Sequence, residues 1–117
     1  RKTVPDWTPT TICSIARDGS DWQDHYESMD RKLGHSSIDR TNSFIITDVQ
    51  SSEENEIYLI EIASGEADLL CWPNTSAIQD QTIHVHPSIS AQGSYVDFTS
   101  DRRGSSDLYI YPLNQNP

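Results

Sequence analysis

The segment His35-Ser36-Ser37-Ile38-Asp39-Arg40-Thr41-Asn42-Ser43-Phe44-Ile45-Ile46-Thr47-Asp48 lies without a gap on His86-Pro87-Ser88-Ile89-Ser90-Ala91-Gln92-Gly93-Ser94-Tyr95-Val96-Asp97-Phe98-Thr99 when the chain is shifted by 51 positions. His35 falls on His86, Ser37 on Ser88, Ile38 on Ile89 and Ser43 on Ser94. Phe44 meets Tyr95, and Ile45 meets Val96. The match runs on through Ile57 with Leu108, Tyr58 with Tyr109 and Leu59 with Ile110. An ungapped correspondence of this length marks an internal repeat.

Each copy reads as short strands separated by polar turns. A strand carrying the histidine (35–38; 84–90) is followed by a turn and a second strand (43–48; 94–100). After a further turn comes a third strand (56–62; 107–113). The first copy continues through Ser64-Gly65 into a fourth strand, 67–71. Earlier, Cys13 to Gly19 resembles the end of a third strand and its turn, with 22–26 as a fourth strand. Four-stranded units of about 40–50 residues are the blades of propellers. The expected fold is therefore all-β, a partial β-propeller of about two blades plus part of a third. Residues 1–29 would be the end of one blade, 30–75 a complete blade, and 76–117 a final blade lacking its outer strand. A closed ring needs at least about four blades. The remainder is expected from a longer chain or from other copies. A small sandwich is the rival all-β reading, and it does not account for the repeat.

Composition narrows the partners. The chain has 117 residues and a formal net charge of −10. That balance argues against nucleic acid or an anionic membrane, because phosphate binding draws on Lys and Arg. An anionic ligand would have to be held by a local cation. No apolar run approaches the roughly 18 residues that span a bilayer. Two cysteines, Cys13 and Cys71, form no C-x-x-C pair. They are expected to be buried free thiols in a cytoplasmic protein.

The histidines supply the candidate chemistry. His84 and His86 are two apart on an expected strand, so their side chains share one face. His35 holds the same repeat position as His86, which puts it on the equivalent strand of the neighbouring blade. Gln81 precedes that strand, where a loop can turn its amide oxygen inward. Three imidazoles and one carbonyl oxygen suit a borderline divalent ion. A lone strand histidine is more often a hydrogen-bonded core or surface residue, and His25 is read that way. Asp48, Asp97 and Asp101 are open candidates for supporting such a site. The Arg102-Arg103 pair is read as part of a self-bonded turn, and Glu53-Glu54 as a solvated one.

The stretch from His86 to Gly104, with its Ser100-Asp101-Arg102-Arg103-Gly104 turn, resembles the TolB-like repeat. That repeat identifies a blade and no chemistry. Gln81-Thr82-Ile83-His84-Val85-His86-Pro87-Ser88 is similar to the metal-binding segment of the oligogalacturonate lyases, and Gly34-His35-Ser36-Ser37 resembles the preceding blade of that family. The resemblance implies a seven-bladed ring and a metal site of His35, Gln81, His84 and His86 holding a divalent metal, manganese. It also implies a short oligogalacturonate substrate cleaved by β-elimination. In that family the base and the carboxylate-holding groups come largely from earlier blades. The chain is therefore expected to supply the metal half of an active site and to be inactive alone. Two alternatives stand beside this: a non-catalytic TolB-like propeller module for protein or glycan binding, and short chains assembling into a ring.

Overall fold

A computed structural model describes residues 9–29, 31–49, 56–75 and 85–113. Among these residues the chain is all β, with nine strands. β1 (Thr10–Ser14) and β2 (Gln23–Ser28) form an antiparallel pair. β3 (Leu33–Ile38), β4 (Phe44–Val49), β5 (Glu56–Glu61) and β6 (Ala67–Cys71) form a four-stranded meander in that order. β7 (Ser88–Ile89), β8 (Tyr95–Ser100) and β9 (Asp107–Pro112) form a third sheet. Consecutive antiparallel strands joined by short turns, sheet after sheet, are the arrangement of propeller blades.

The repeat is carried into the hydrogen bonds. In the middle sheet Phe44 pairs with Glu61, Ile45 with Ile60 and Val49 with Glu56. Fifty-one residues on, Tyr95 pairs with Pro112, Val96 with Tyr111 and Ser100 with Asp107. The hairpin turns correspond as well. The Asp39 N–H donates to Phe44 O (3.2 Å) and the Ser90 N–H to Tyr95 O (2.9 Å). Asn42 (φ 60°) and Gly93 (φ 72°) take the same left-handed place in the two turns, a conformation that asparagine and glycine tolerate best.

Side-chain chemistry differs within this common frame. The carboxylate of Asp39, 2 % exposed, accepts the N–H groups of Ser43 (2.8 Å) and Phe44 (3.1 Å) and the Thr41 hydroxyl (2.7 Å). In the next blade the Ser90 hydroxyl does the same for Ser94 (2.9 Å) and Tyr95 (3.1 Å). Burial pushes the Asp39 carboxyl up, but the hydrogen bonds from Thr41, Phe44 and Ser43 outweigh it and hold the group below its ordinary value.

The core lies between the second and third sheets. Ile46, Ile57, Val85, Ile89, Val96 and Phe98 are buried there, with Phe44, Leu59 and Tyr109 packed around them. β4 is buried on both faces from Ile45 onward, as befits a strand between two neighbouring sheets. β9 instead alternates, leaving Leu108 and Ile110 exposed. These two hold the repeat positions of Ile57 and Leu59, which the third sheet covers. The repeat thus turns the same apolar face outward once and inward once. The sheets are also tied by the Arg40 N–H donating to Ala91 O (2.9 Å) and the Ile89 N–H to Ser37 Oγ (3.1 Å).

Several expectations need correction. The strand expected over 84–90 is shorter: among the described residues only Ser88–Ile89 pair as β7. His86 precedes it with φ 44°, and Pro87 has no N–H for the ladder. Pairing steps over both, since the Thr99 N–H donates to Val85 O (2.8 Å). The fourth strand of the first unit begins at Gln23, so Trp22 lies outside it. Cys13 is exposed, although Cys71 is half-buried; both are free thiols.

Candidate functional site

β3 and β7, the first strands of neighbouring sheets, lie side by side. Both depart from a regular ladder at the histidine. In β3 the register with β4 shifts between Leu33 and Ser36, and before β7 the chain bulges at His86-Pro87. A bulge releases a side chain from strict alternation and re-aims it. The outcome is that His35 and His86 meet: their ring centroids are 4.0 Å apart and tilted by 40°. His86 is exposed and His35 half-buried. The left-handed φ of His86, directly before a proline, is a backbone geometry that a non-glycine residue holds only where its surroundings impose it.

His35 has a buried carboxylate against it. Asp48 on β4 is 1 % exposed. Its Oδ1 accepts the backbone N–H of His35 (2.7 Å), and its Oδ2 lies 3.3 Å from His35 Nδ1. The first bond satisfies the donor that the β3 irregularity takes out of the ladder. An ionised carboxylate can only accept, so a neutral imidazole bonded to it through Nδ1 would carry its proton there and its lone pair on Nε2. Carboxylate–imidazole pairs of this kind back metal-bound histidines.

Gln81 and His84, the other two expected ligands, lie outside the described residues. Among the described residues no cluster of three or more His, Cys, Asp or Glu side chains is arranged to hold a metal ion. The two described histidines stand close enough for one ion to draw on both. With metal–nitrogen distances of about 2.1 Å, two imidazoles at adjacent positions of an ion have ring centres roughly 4.6–5.3 Å apart. The rings of His35 and His86, 4.0 Å apart here, would therefore separate by roughly 0.6 Å or more on sharing it.

The remaining candidates sort by what they touch. Asp97 is half-buried on β8, where it pairs with Ser88 and Ile110. Asp101 accepts the Thr75 hydroxyl (3.2 Å), and its carbonyl accepts the Gly104 N–H (2.8 Å). Arg102 stands 5.6 Å over the Tyr109 ring, and its N–H donates to Ser100 Oγ (3.1 Å). That turn is held by its own contacts, as expected for Arg102, and Arg103 is exposed. His25 is half-buried, with Nε2 2.8 Å from Ser14 Oγ in the first hairpin. Glu53 and Glu54 lie outside the described residues. Of the acids left open by the sequence, Asp48 is the one the fold brings to a histidine. The signal for it was a lone carboxylate in the apolar run Phe44–Val49, where the sister strand has Thr99.

These sheets and their packing define part of a β-propeller. No family model matches the chain, and no curated protein matches it. Among solved structures it is similar to TolB from Acinetobacter baumannii, at 17 % identity and a TM-score of 0.68, over 89 % of this chain and 24 % of that one. It is also similar to an oligogalacturonate lyase described in complex with manganese, at 16 % identity and a TM-score of 0.44, over 88 % of this chain and 41 % of that one. The chain spans about a quarter of the TolB chain and under half of the lyase chain. The fold is thus that of a TolB-like propeller, of which this chain carries a part.

Proposed function

We propose that His35, Gln81, His84 and His86 hold one divalent cation, manganese by the sequence resemblance, and that the chain supplies the metal-holding part of a lyase acting on short galacturonate oligomers. The observation that carries this reading is the meeting of His35 and His86, which stand 51 residues apart with ring centroids 4.0 Å from each other. An exposed His86 in a strained backbone beside a carboxylate-backed His35 is a costly arrangement for packing alone.

When bound, the cation would supply Lewis-acid chemistry, drawing charge from a uronate carboxylate and so favouring loss of the neighbouring C5 proton. The chain's own residues hold and orient. Asp48 fixes the His35 ring, and the bulge at His86-Pro87 presents the second imidazole. With a net charge of −10 the surface does not attract an anionic sugar by itself, so a local cation would be what retains it. The base that removes the C5 proton, after which the C4–O bond breaks by β-elimination and the leaving oxygen takes up a proton, is assigned to blades beyond this chain. The cytoplasmic location belongs to the same proposal.

The test is a crystal of the chain grown with Mn²⁺ and measured for anomalous scattering. Anomalous density within about 2.0–2.4 Å of His35 and His86 nitrogens supports the reading. Metal-replete crystals with no density there would favour a non-catalytic propeller module. Turnover of digalacturonate by the chain alone with Mn²⁺ would refute the assignment of the base to other blades.

A further inference from the structure

The buried Asp48 carboxylate is not required by the blade. Its repeat equivalent is Thr99, and the two sheets share their register around it: Asp48 pairs with Ile57, and Thr99 with Leu108. A carboxylate buried to 1 % exposure is expensive unless it is fully engaged. Here its two oxygens face His35 alone among the contacts described, one at the backbone N–H (2.7 Å) and one at Nδ1 (3.3 Å). The acid thus occurs in the blade that carries His35 and is replaced by a hydroxyl in the sister blade.

We infer that Asp48 is a positioning residue: it holds the His35 imidazole as the Nδ1–H tautomer, with the Nε2 lone pair presented for a cation. This rests on the metal reading above. The contacts described for its side chain are to His35, so its action would run through the histidine. The carboxylate also restrains the ring twice, through the side chain and through the backbone of the same residue. That lowers the freedom His35 would have to give up on binding.

Two variants separate positioning from packing. Asp48→Asn is isosteric; its Oδ1 still accepts the His35 N–H, while its NH₂ faces Nδ1 and makes that nitrogen the acceptor. The proton then moves to Nε2. Asp48→Thr installs the residue that the sister blade already accommodates. The first readout needs no metal: ¹⁵N-resolved imidazole NMR of the metal-free chain at about pH 8, above the ordinary imidazole range. The expected result is Nδ1–H for His35 in the parent chain and Nε2–H in Asp48→Asn. The second readout is Mn²⁺ affinity by calorimetry, expected to fall roughly 10- to 100-fold in both variants, with the melting temperature of at least one close to the parent's. An Nε2–H tautomer in the parent chain overturns the inference. So does Mn²⁺ binding that both folded variants share undiminished, and in that case the metal reading itself survives. A parent chain with the Nδ1–H tautomer and no Mn²⁺ uptake overturns the metal reading, and the positioning role falls with it.

Discussion

Replacing Asp39 by alanine removes the acceptor of two backbone N–H groups, those of Ser43 (2.8 Å) and Phe44 (3.1 Å), together with that of the Thr41 hydroxyl. Thr41 and Asn42 are exposed, so water can reach part of the turn. Counting about 1–1.5 kcal/mol for each backbone donor left wanting gives a loss of about 2–3 kcal/mol. At about 4 °C per kcal/mol for a chain of this size, the melting point should fall by roughly 8–12 °C. Asp39→Ser should cost only about 1 kcal/mol, because Ser90 holds the equivalent turn with a hydroxyl at 2.9 and 3.1 Å. Urea unfolding followed by tryptophan fluorescence reads both. The pH dependence has a definite sign. The folded Asp39 carboxyl lies below its ordinary value of 3.8. Its charged form therefore adds stability above that value, and the contribution is lost as pH falls through the lower folded value. The serine variant should show less acid destabilisation than the parent between neutral pH and about 3. An alanine variant within about 0.5 kcal/mol of the parent, or a serine variant as damaged as the alanine one, would show that the side chain does not organise the turn.

Further outcomes follow from repeat positions and burial. Ile57→Ala should cost about 2–5 kcal/mol, since Ile57 is 0 % exposed; Leu108→Ala, at the same repeat position but 67 % exposed, should cost under about 0.5 kcal/mol. Equal losses in urea unfolding would mean that the outer face of the third sheet is covered in solution. Iodoacetamide at neutral pH should label Cys13, which is exposed, well before Cys71, because burial pushes the Cys71 thiol up to about 11 despite the nearby Arg102. Peptide mapping by mass spectrometry checks the order, and faster labelling of Cys71 would contradict it.

The strands were legible because the repeat constrains two copies at once. A position apolar in both, such as Ile45 and Val96, reads as core more securely than either residue alone. The turns were legible for the same reason, with Asn42 and Gly93 marking one left-handed place. The course of the chain at His86 was not. Alternation along a strand assumes a regular ladder, and Pro87 breaks it; it was repeat position, not alternation, that set His35 on the strand neighbouring His86. The contact of Asp48 with His35 was also hidden. It spans neighbouring strands at an irregular register, and a carboxylate in an apolar run has several possible partners until the register is known. The exposure of Cys13 depends on how the first hairpin sits beside the second sheet, which a two-cysteine composition does not encode.

The site is tested most directly by titrating the chain with Mn²⁺ in a calorimeter, alongside His35→Ala, His86→Ala and His25→Ala. One Mn²⁺ per parent chain is expected, with affinity lowered at least roughly tenfold in each of the first two variants and unchanged in the third. No uptake by the parent chain, or uptake that the His35 and His86 variants leave intact, would contradict a metal site built by the repeat.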